Sequence, residues 1–455
     1  MARSQIVSNN FTQGGILKPL LRFSLPILLA LILQTAYGAV DLWMVSTYAT
    51  AADVSAVSTG AQLMMSITSI ITGLTMGTTV LMGQTLGQGH PEEVSPVIGG
   101  SIALFSLLSL LLTALVVPGA GVLAQVTHAP QAAFQQTATY IRVCGGGLLF
   151  IAAYNVFGSI FRGMGDSRTP LMTVAIAAVA NMAGDYILVA LLGLGALGAA
   201  LATVGAQALS VLISLLVVRR RGLPFPFSAK NIRFRGAPIG RVVRLGAPVA
   251  LQDGLVSISF LVILSIVNSL GLIASAGVAE KLCGFIMLVP SAFSQSVTTF
   301  VAQNVGAGKL DRARRVLWEG VLVSLAFGVV IGGFSFFRGD LLSRLFSQDG
   351  EIVAASASYL KAYAIDVLLT SFLFPFMGYF NGRGKTGFVM AQGLVGAFAV
   401  RIPVSFLMAR WEPVTLFHVG LATPCSTLVQ ILLCGAYFLW LGGRDRSALA
   451  RSATE

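Results

Sequence analysis

The sequence predicts an all-α polytopic membrane protein, with twelve transmembrane helices in two six-helix parallel repeats. Three observations carry this. Of 455 residues, 56% are hydrophobic and only 10% charged, with a mean hydropathy of +0.85, whereas a soluble domain has about 45–50% apolar and about 25% charged residues. A membrane span needs about 20 apolar residues, and the chain supplies about twelve such stretches. Finally, VLMGQTLGQGHPEEV (80–94) aligns without gaps to TFVAQNVGAGKLDRA (299–313), which sets Gln84, Gly87 and Gly89 over Gln303, Gly306 and Gly308.

The first stretch, about 20–44, is too long for a signal-peptide core of about 7–15 residues and contains Pro26, Gln34 and Asp41, so it is expected to stay in the mature protein. Stretches at about 54–82, 96–118, 134–160, 169–192 and 196–218 complete the first half. Arg219, Arg220 and Arg221 then open a basic, proline-containing segment. The second half follows at about 245–270, 275–302, 316–337, 355–379, 388–409 and 416–441. Its opening VVRLGAPVAL matches LLRFSLPILL, and FNGRGKTG (380–387) matches FRGMGDSRTP (161–170). Six spans per half make both halves enter the membrane in the same sense, with a cleft between them where transporter sites usually lie. The predicted organisation is an N-terminal lobe 1–218, a linker 219–244 and a C-terminal lobe 245–455.

The 29 Lys+Arg against 17 Asp+Glu give a formal charge of +12, which in a soluble chain would raise nucleic acid as a partner. Here the basic residues sit in loops between spans and report topology. Arg3, Lys18 and Arg22, Arg162 and Arg168, the linker, Lys309 to Arg315, Arg383 and Lys385, and Arg444 to Arg451 all fall on one side. Positive residues are retained in the cytoplasm, so both termini are expected there. Glu92 and Glu93 are the exception in this set of loops. Cys144, Cys283, Cys425 and Cys434 lie in apolar stretches without a CxxC and read as buried, inert thiols rather than a disulfide or zinc framework.

Several motifs are declined. GLGALG (193–198) satisfies GxGxxG but lies between two spans with no strand before it, so small residues for helix packing explain it better than a dinucleotide. GRGKT (382–386) has Tyr379 where a phosphate loop needs its upstream glycine. His90, His128 and His418 read as isolated from one another and from acidic partners, which argues against a metal.

An ionised Asp at mid-bilayer costs about 2.5–3.5 kcal/mol on insertion scales, so each needs a partner, water, a proton or an ion. Gln34, Tyr37 and Asp41 are spaced to stack on one helix face; Asn181 and Asp185 are at i, i+4, and Thr203 follows on the next span. Their carboxylate, amide and hydroxyl oxygens suit a small cation or a shared proton. Two carboxylates held close in a low dielectric resist joint ionisation, so a proton held there can be exchanged for an arriving cation. The second half lacks this set: Asp41 falls over Ile263, and Asp185 near Ile402, beside Arg401. It carries Asp253, Glu280, Lys281 and Asp366 instead, with Asp253 and Asp366 expected as the deeper, buried acids and either a salt-bridged network or a substrate role open to all four.

On these residues the chain resembles the multidrug and toxic compound extrusion (MATE) transporters, and their DinF-like prokaryotic branch in particular. The resemblance covers essentially the whole chain through GQTLGQG, AQNVGAGKLDRAR, RGMGDSRTP and GLGALGAALAT. It implies a V-shaped exporter of a bacterial inner membrane that exchanges sodium ions or protons for amphipathic, often cationic, compounds. It also implies a cation or proton site at Asp41, Asn181, Asp185 and Thr203, a substrate cavity with Gln34, Tyr37, Tyr140 and Asn155, and a hinge at Pro26. Val256 and Thr370 stand where the NorM-like branch has acids, so a second cation site is not carried over. No cofactor beyond the coupling ion, no catalytic residue and no partner beyond substrate and lipid is expected, and the chain is expected to function as a monomer.

A lipid-linked saccharide flippase of the same superfamily is the rival reading. It would want cationic residues for a pyrophosphate, and only Lys281 and Arg401 are at hand. An enzyme is disfavoured because no nucleophile, base and metal set converges.

Overall fold

The computed structural model describes residues 10–234, 236–269, 273–412 and 415–452. All the regular elements among them are helical: α1 (Leu17–Tyr48), α2 (Ala51–Gly87), α3 (Val94–Val126), α4 (Phe134–Gly146), α5 (Leu148–Gly163), α6 (Arg168–Asp185), α7 (Gly195–Arg221), α8 (Gly236–Ser269), α9 (Ile273–Ile286), α10 (Leu288–Gly306), α11 (Leu310–Ser343), α12 (Gly350–Gly382), α13 (Thr386–Leu394), α14 (Ile402–Met408), α15 (Leu416–Gly420) and α16 (Ala422–Ser452). Among the described residues, eleven helices are long and apolar enough to cross a membrane, or twelve if α4 and α5 form one span bent by 51°.

The span expected over 134–160 is this bent pair. Gly145, Gly146 and Gly147 break it, and a Cβ at Gly147 would lie 2.5 Å from Val204 of α7. Glycine lets α7 press into the bend, and the Thr113 hydroxyl on α3 donates to the Gly145 carbonyl at 2.9 Å, satisfying a group beside the break. Two further departures from straight helix are π turns, Tyr186–Leu191 directly after α6 and Val395–Arg401 directly after α13. Pro26, in contrast, is carried inside a continuous α1.

The chain forms two compact units, one from residues 1–251, 299–313 and 382–384, the other from 252–298, 314–381 and 385–455. In the first unit the repeated motifs meet one another. A Cβ at Gly87 would lie 2.0 Å from the Gln303 carbonyl oxygen, and one at Gly306 would lie 2.0 Å from that of Gln84; one at Gly83 would lie 2.9 Å from Ala302 Cβ. The first two contacts are each other's equivalents in the repeat, and Gly83 and Ala302 occupy equivalent positions, so the contact is reciprocal in the manner of a two-fold interface. The repeated turns also share their backbone: Gly89 and Gly308 have φ of 81° and 69°, Gly165 and Gly384 of 81° and 71°. These are helix C-terminal turns in the left-handed region, where a side chain is strained.

Below this crossing the segment before α1 is strapped to the turn after α10. Phe11 stacks on Phe300 at 3.7 Å and meets the edge of Phe23 at 5.3 Å. Its N–H donates to Gln303 Oε1, while Asn304, Lys309 and Arg312 donate to the carbonyls of Phe11, Thr12, Gln13 and Gly14. In the second unit, Trp318, Phe372, Phe376 and Phe438 form an aromatic cluster, and Arg314 pairs with Asp445 at 2.9 Å.

Two sequence readings are corrected here. Cys425 is exposed, unlike the other three cysteines, because its position on α16 is one that the described helices leave uncovered. His90 has an acidic neighbour, Glu92, at 3.1 Å, since the tight turn between α2 and α3 brings the two side chains together.

Gly87→Ala and Gly306→Ala should each lower stability by about 1–3 kcal/mol, the usual cost of overpacking, because the neighbour is backbone and cannot rotate away. Thermal unfolding of the purified protein in detergent measures this. Gly240→Ala, which meets nothing within 4 Å, is the control and should be near neutral.

Candidate functional site

The site in the first unit rests on α6 and α7, which pack through small residues. A Cβ at Gly184 would lie 3.0 Å from Ala202 Cβ, and Gly147 receives Val204. Thr203 is thereby fixed between two close contacts, one helix away from Asn181 and Asp185. The GLGALG turn lies at the start of α7: Asp53 Oδ1 accepts from Ala196 N–H at 3.0 Å, while Asp53 and Thr50 cap α2. A carboxylate of the chain itself thus sits at the helix N-terminus that a bound phosphate would need.

Asp41, Asn181 and Asp185 are buried, Asp185 completely. The carboxyl groups of Asp41 and Asp185 face each other within hydrogen-bonding reach. Asp41 Oδ1, both Asp185 oxygens and both Asn181 side-chain polar atoms are buried without a hydrogen-bond partner. Burying such groups unpaired is costly; oxygens of this kind are hard ligands that a small cation can bridge, whereas a shared proton joins only two of them. Among the described residues, no group of three or more His, Cys, Asp or Glu is placed to hold a metal ion.

Beside the pair lies a small cavity lined by Tyr37, Tyr154, Val174, Ala177, Asn181, Thr203, Ala206 and Gln207. Its free volume, about 10 Å³, is that of about one water molecule. Tyr37 and Tyr140 lie within electrostatic reach of Asp41, and the Tyr140 ring is seated against Gly60, where a Cβ would lie 2.4 Å away. Gln34 is held by a 2.6 Å hydrogen bond to the Tyr154 hydroxyl. Asn155 accepts from Thr72 at 2.9 Å and donates to the Ile151 carbonyl at 2.8 Å.

Three residues of this neighbourhood carried no signal that singled them out. Gln207 sits one turn beyond Thr203 and keeps a buried Oε1 without a donor. Its i, i+4 spacing from Thr203 was available to find it. Tyr154 is 120 residues from Gln34, and Cys144, within hydrogen-bonding reach of Tyr140, looked like one more apolar thiol. The π turn that starts directly after Asp185 is a feature frequent at functional sites and invisible in composition.

The second unit keeps its buried acid and its buried base within electrostatic reach of one another. Asp366 is buried, and Thr427 donates to its Oδ1 at 2.6 Å. Arg401 is buried at the end of the second π turn; its Nη1 donates to Ser259 Oγ at 3.1 Å and its guanidinium lies 4.4 Å from the Phe260 ring centroid. Glu280 and Lys281 are exposed on α9. Asp253 is exposed as well, which corrects its placing as a buried acid beside Asp366: it stands at the middle of α8 on a face that other helices leave open.

Buried acids inside a bundle of apolar helices mark a substrate or ion pathway in a membrane protein. The MatE family model matches residues 26–187 and 248–407, and the chain belongs to this family, the MATE transporters; it is a transporter and not an enzyme. It is 27% identical over 444 residues to "Probable multidrug resistance protein YpnP" of Bacillus subtilis, covering 96% of this chain and 97% of that one. It is 24% identical to "Probable multidrug resistance protein NorM" of Thermotoga maritima, covering 95% and 94%. A solved outward-facing multidrug resistance MATE transporter superposes with a TM-score of 0.89 over 99% of both chains at 20% identity, which shows the shared fold.

Thr427→Val should cost about 1–3 kcal/mol, since it leaves a buried carboxylate oxygen without its donor while keeping the shape. Thr427→Ser should restore most of it, with thermal unfolding in detergent as the readout.

Proposed function

We propose that the chain is a secondary active multidrug antiporter, exchanging H+ or Na+ for amphipathic, often cationic, compounds by alternating access. The observation that carries the reading is the buried Asp41–Asp185 pair with Asn181 and Thr203 beside a water-sized cavity. The names of the curated relatives supply the substrate class. A coupling ion does work only if it binds one state of the transporter more tightly than the other. A carboxylate pair does this when its geometry changes, because the pair then gains or loses the cation that stabilises it.

In this reading residues 1–218 and 245–455 act as lobes joined by 219–244. Both termini lie in the cytoplasm, as the basic loops favour. Gln34, Tyr37, Tyr140 and Asn155 serve the substrate, Pro26 the bending of α1, and the chain works as a monomer. The flippase alternative is weaker because Lys281 is exposed and Arg401 is engaged by Ser259 and Phe260.

Asp41→Asn is expected to abolish drug efflux while membrane insertion is retained, since it removes the charge and keeps the shape. Asp185→Asn should do nearly the same, and Thr203→Ala should weaken the apparent ion affinity by about tenfold, the worth of one ligand hydrogen bond. Drug uptake into inverted vesicles, driven separately by a sodium or a pH gradient, reads each effect. Wild-type transport by Asp41→Asn at equal protein level rejects the proposal.

Asp253→Asn and Asp366→Asn should instead change which drugs are moved, according to their charge, while ion-driven efflux of at least one compound survives. The reason is that Ile263 and Ile402 stand at or near the positions equivalent to Asp41 and Asp185. Loss of coupling for every substrate in either variant means that both halves carry the ion.

A further inference from the structure

The transport reading leaves the segment between α7 and α8 unused, and it is the most basic surface of the chain. Arg219, Arg220, Arg221, Lys230, Arg233, Arg241 and Arg244 are all exposed. No acid occurs in the sequence between Asp185 and Asp253, and none of the seven has an acidic partner at ion-pair distance among the described residues. The nearest acids on an adjoining element are Glu92 and Glu93, at the start of α3, and Glu92 is already held by His90.

The segment is fixed. Phe225 is buried, and Ser95 Oγ on α3 donates to the Pro226 carbonyl. Asn231 Oδ1 accepts from Ser228 N–H at 2.9 Å. The Asn231 carbonyl oxygen sits 2.0 Å from where a Gly99 Cβ would be, and Pro238 and Ile239 cover Gly100. Between these fixed points, Ile232 and Phe234 stay 40% and 63% exposed.

Depth follows from helix length. The 27 residues of α7 span about 40 Å at 1.5 Å each, longer than the hydrocarbon core of about 30 Å. Arg219, Arg220 and Arg221, at its last turn, therefore reach the headgroup layer. The 34 residues of α8 likewise extend past the core. A platform at that level with basic side chains around an exposed Phe and Ile suits an interface, where apolar groups enter the acyl boundary and guanidinium groups meet phosphate.

We propose that residues 219–244 form a binding surface for the headgroups of anionic phospholipids in the leaflet they border. Full-length protein in detergent, titrated with phosphatidylglycerol or with phosphatidylcholine, tests this when bound lipids are counted by native mass spectrometry. Phosphatidylglycerol should be retained in preference. Each basic residue removed should weaken its retention by about fivefold, so R219Q/R220Q/R221Q should lower it by far more than tenfold without moving the unfolding temperature. In a Cys425→Ser background, a bimane attached at Phe234→Cys should shift to shorter wavelength in vesicles containing phosphatidylglycerol and less in pure phosphatidylcholine. Equal retention of the two lipids, unchanged retention by the folded triple variant, or a bimane spectrum indifferent to phosphatidylglycerol each overturns the proposal. Displacement of phosphatidylglycerol by a short RNA at equal charge would make this a general polyanion surface and overturns it too.

Discussion

An ionised carboxylate in hydrocarbon costs about 2.5–3.5 kcal/mol even on insertion scales, and this chain buries two that face each other. Much of the first unit can be understood as the arrangement that makes the pair tolerable and useful. Gly184 and Ala202 bring α6 against α7, and Gly147 at the α4–α5 break receives Val204 of α7, on either side of Thr203. The bent α4–α5 span brings Tyr140 to the same place from another direction. Arg162 lies within electrostatic reach of Tyr154 rather than beside the acids, and on the proposed reading this is what keeps the pair from being a structural ion pair. A permanent guanidinium beside Asp41 would stabilise the fold and leave nothing for an ion to add.

The second unit illustrates the opposite solution with nearly the same helices. Its buried acid, Asp366, has a hydroxyl donor in Thr427, and its buried base, Arg401, has a hydroxyl and an aromatic face. Both charges are met by partners from the chain. The two π turns mark the same contrast, since one begins after Asp185 and the other ends at Arg401. An extra residue in a turn re-aims the side chains that follow it, so helices that match in sequence register present different chemistry.

Much of this was legible in the sequence because the membrane simplifies the code. Spans are read from length and apolarity alone, and the repeated motifs proved to be the reciprocal crossing of α2 and α10 and the four left-handed glycine turns. The spacing of Asn181 and Asp185 placed both on one helix face, and both are buried. What escaped was whatever depends on a partner far along the chain or on a local irregularity. The bend at Gly147 lies inside an apolar run that reads as one helix. Tyr154 gains its part through Gln34, 120 residues away. Asp253 shows the converse error: a charge in mid-span was taken as buried, but burial requires a helix on that face, and hydropathy says nothing of which face is covered.

The close crossing in the first unit constrains how any such transporter can move. Gly87 meets the Gln303 backbone and Gly306 the Gln84 backbone, and the strap at Phe11 to Gly14 is tied by side chains of the second motif itself. Residues 299–313 therefore travel with the first unit, while the chain on either side of them, from 252 to 298 and from 314 onward, belongs to the second. Separating α2 from α10 would have to open the glycine crossing and the strap together, exposing several donors and carbonyls at once, and packed elements of this kind switch between discrete arrangements rather than deform continuously.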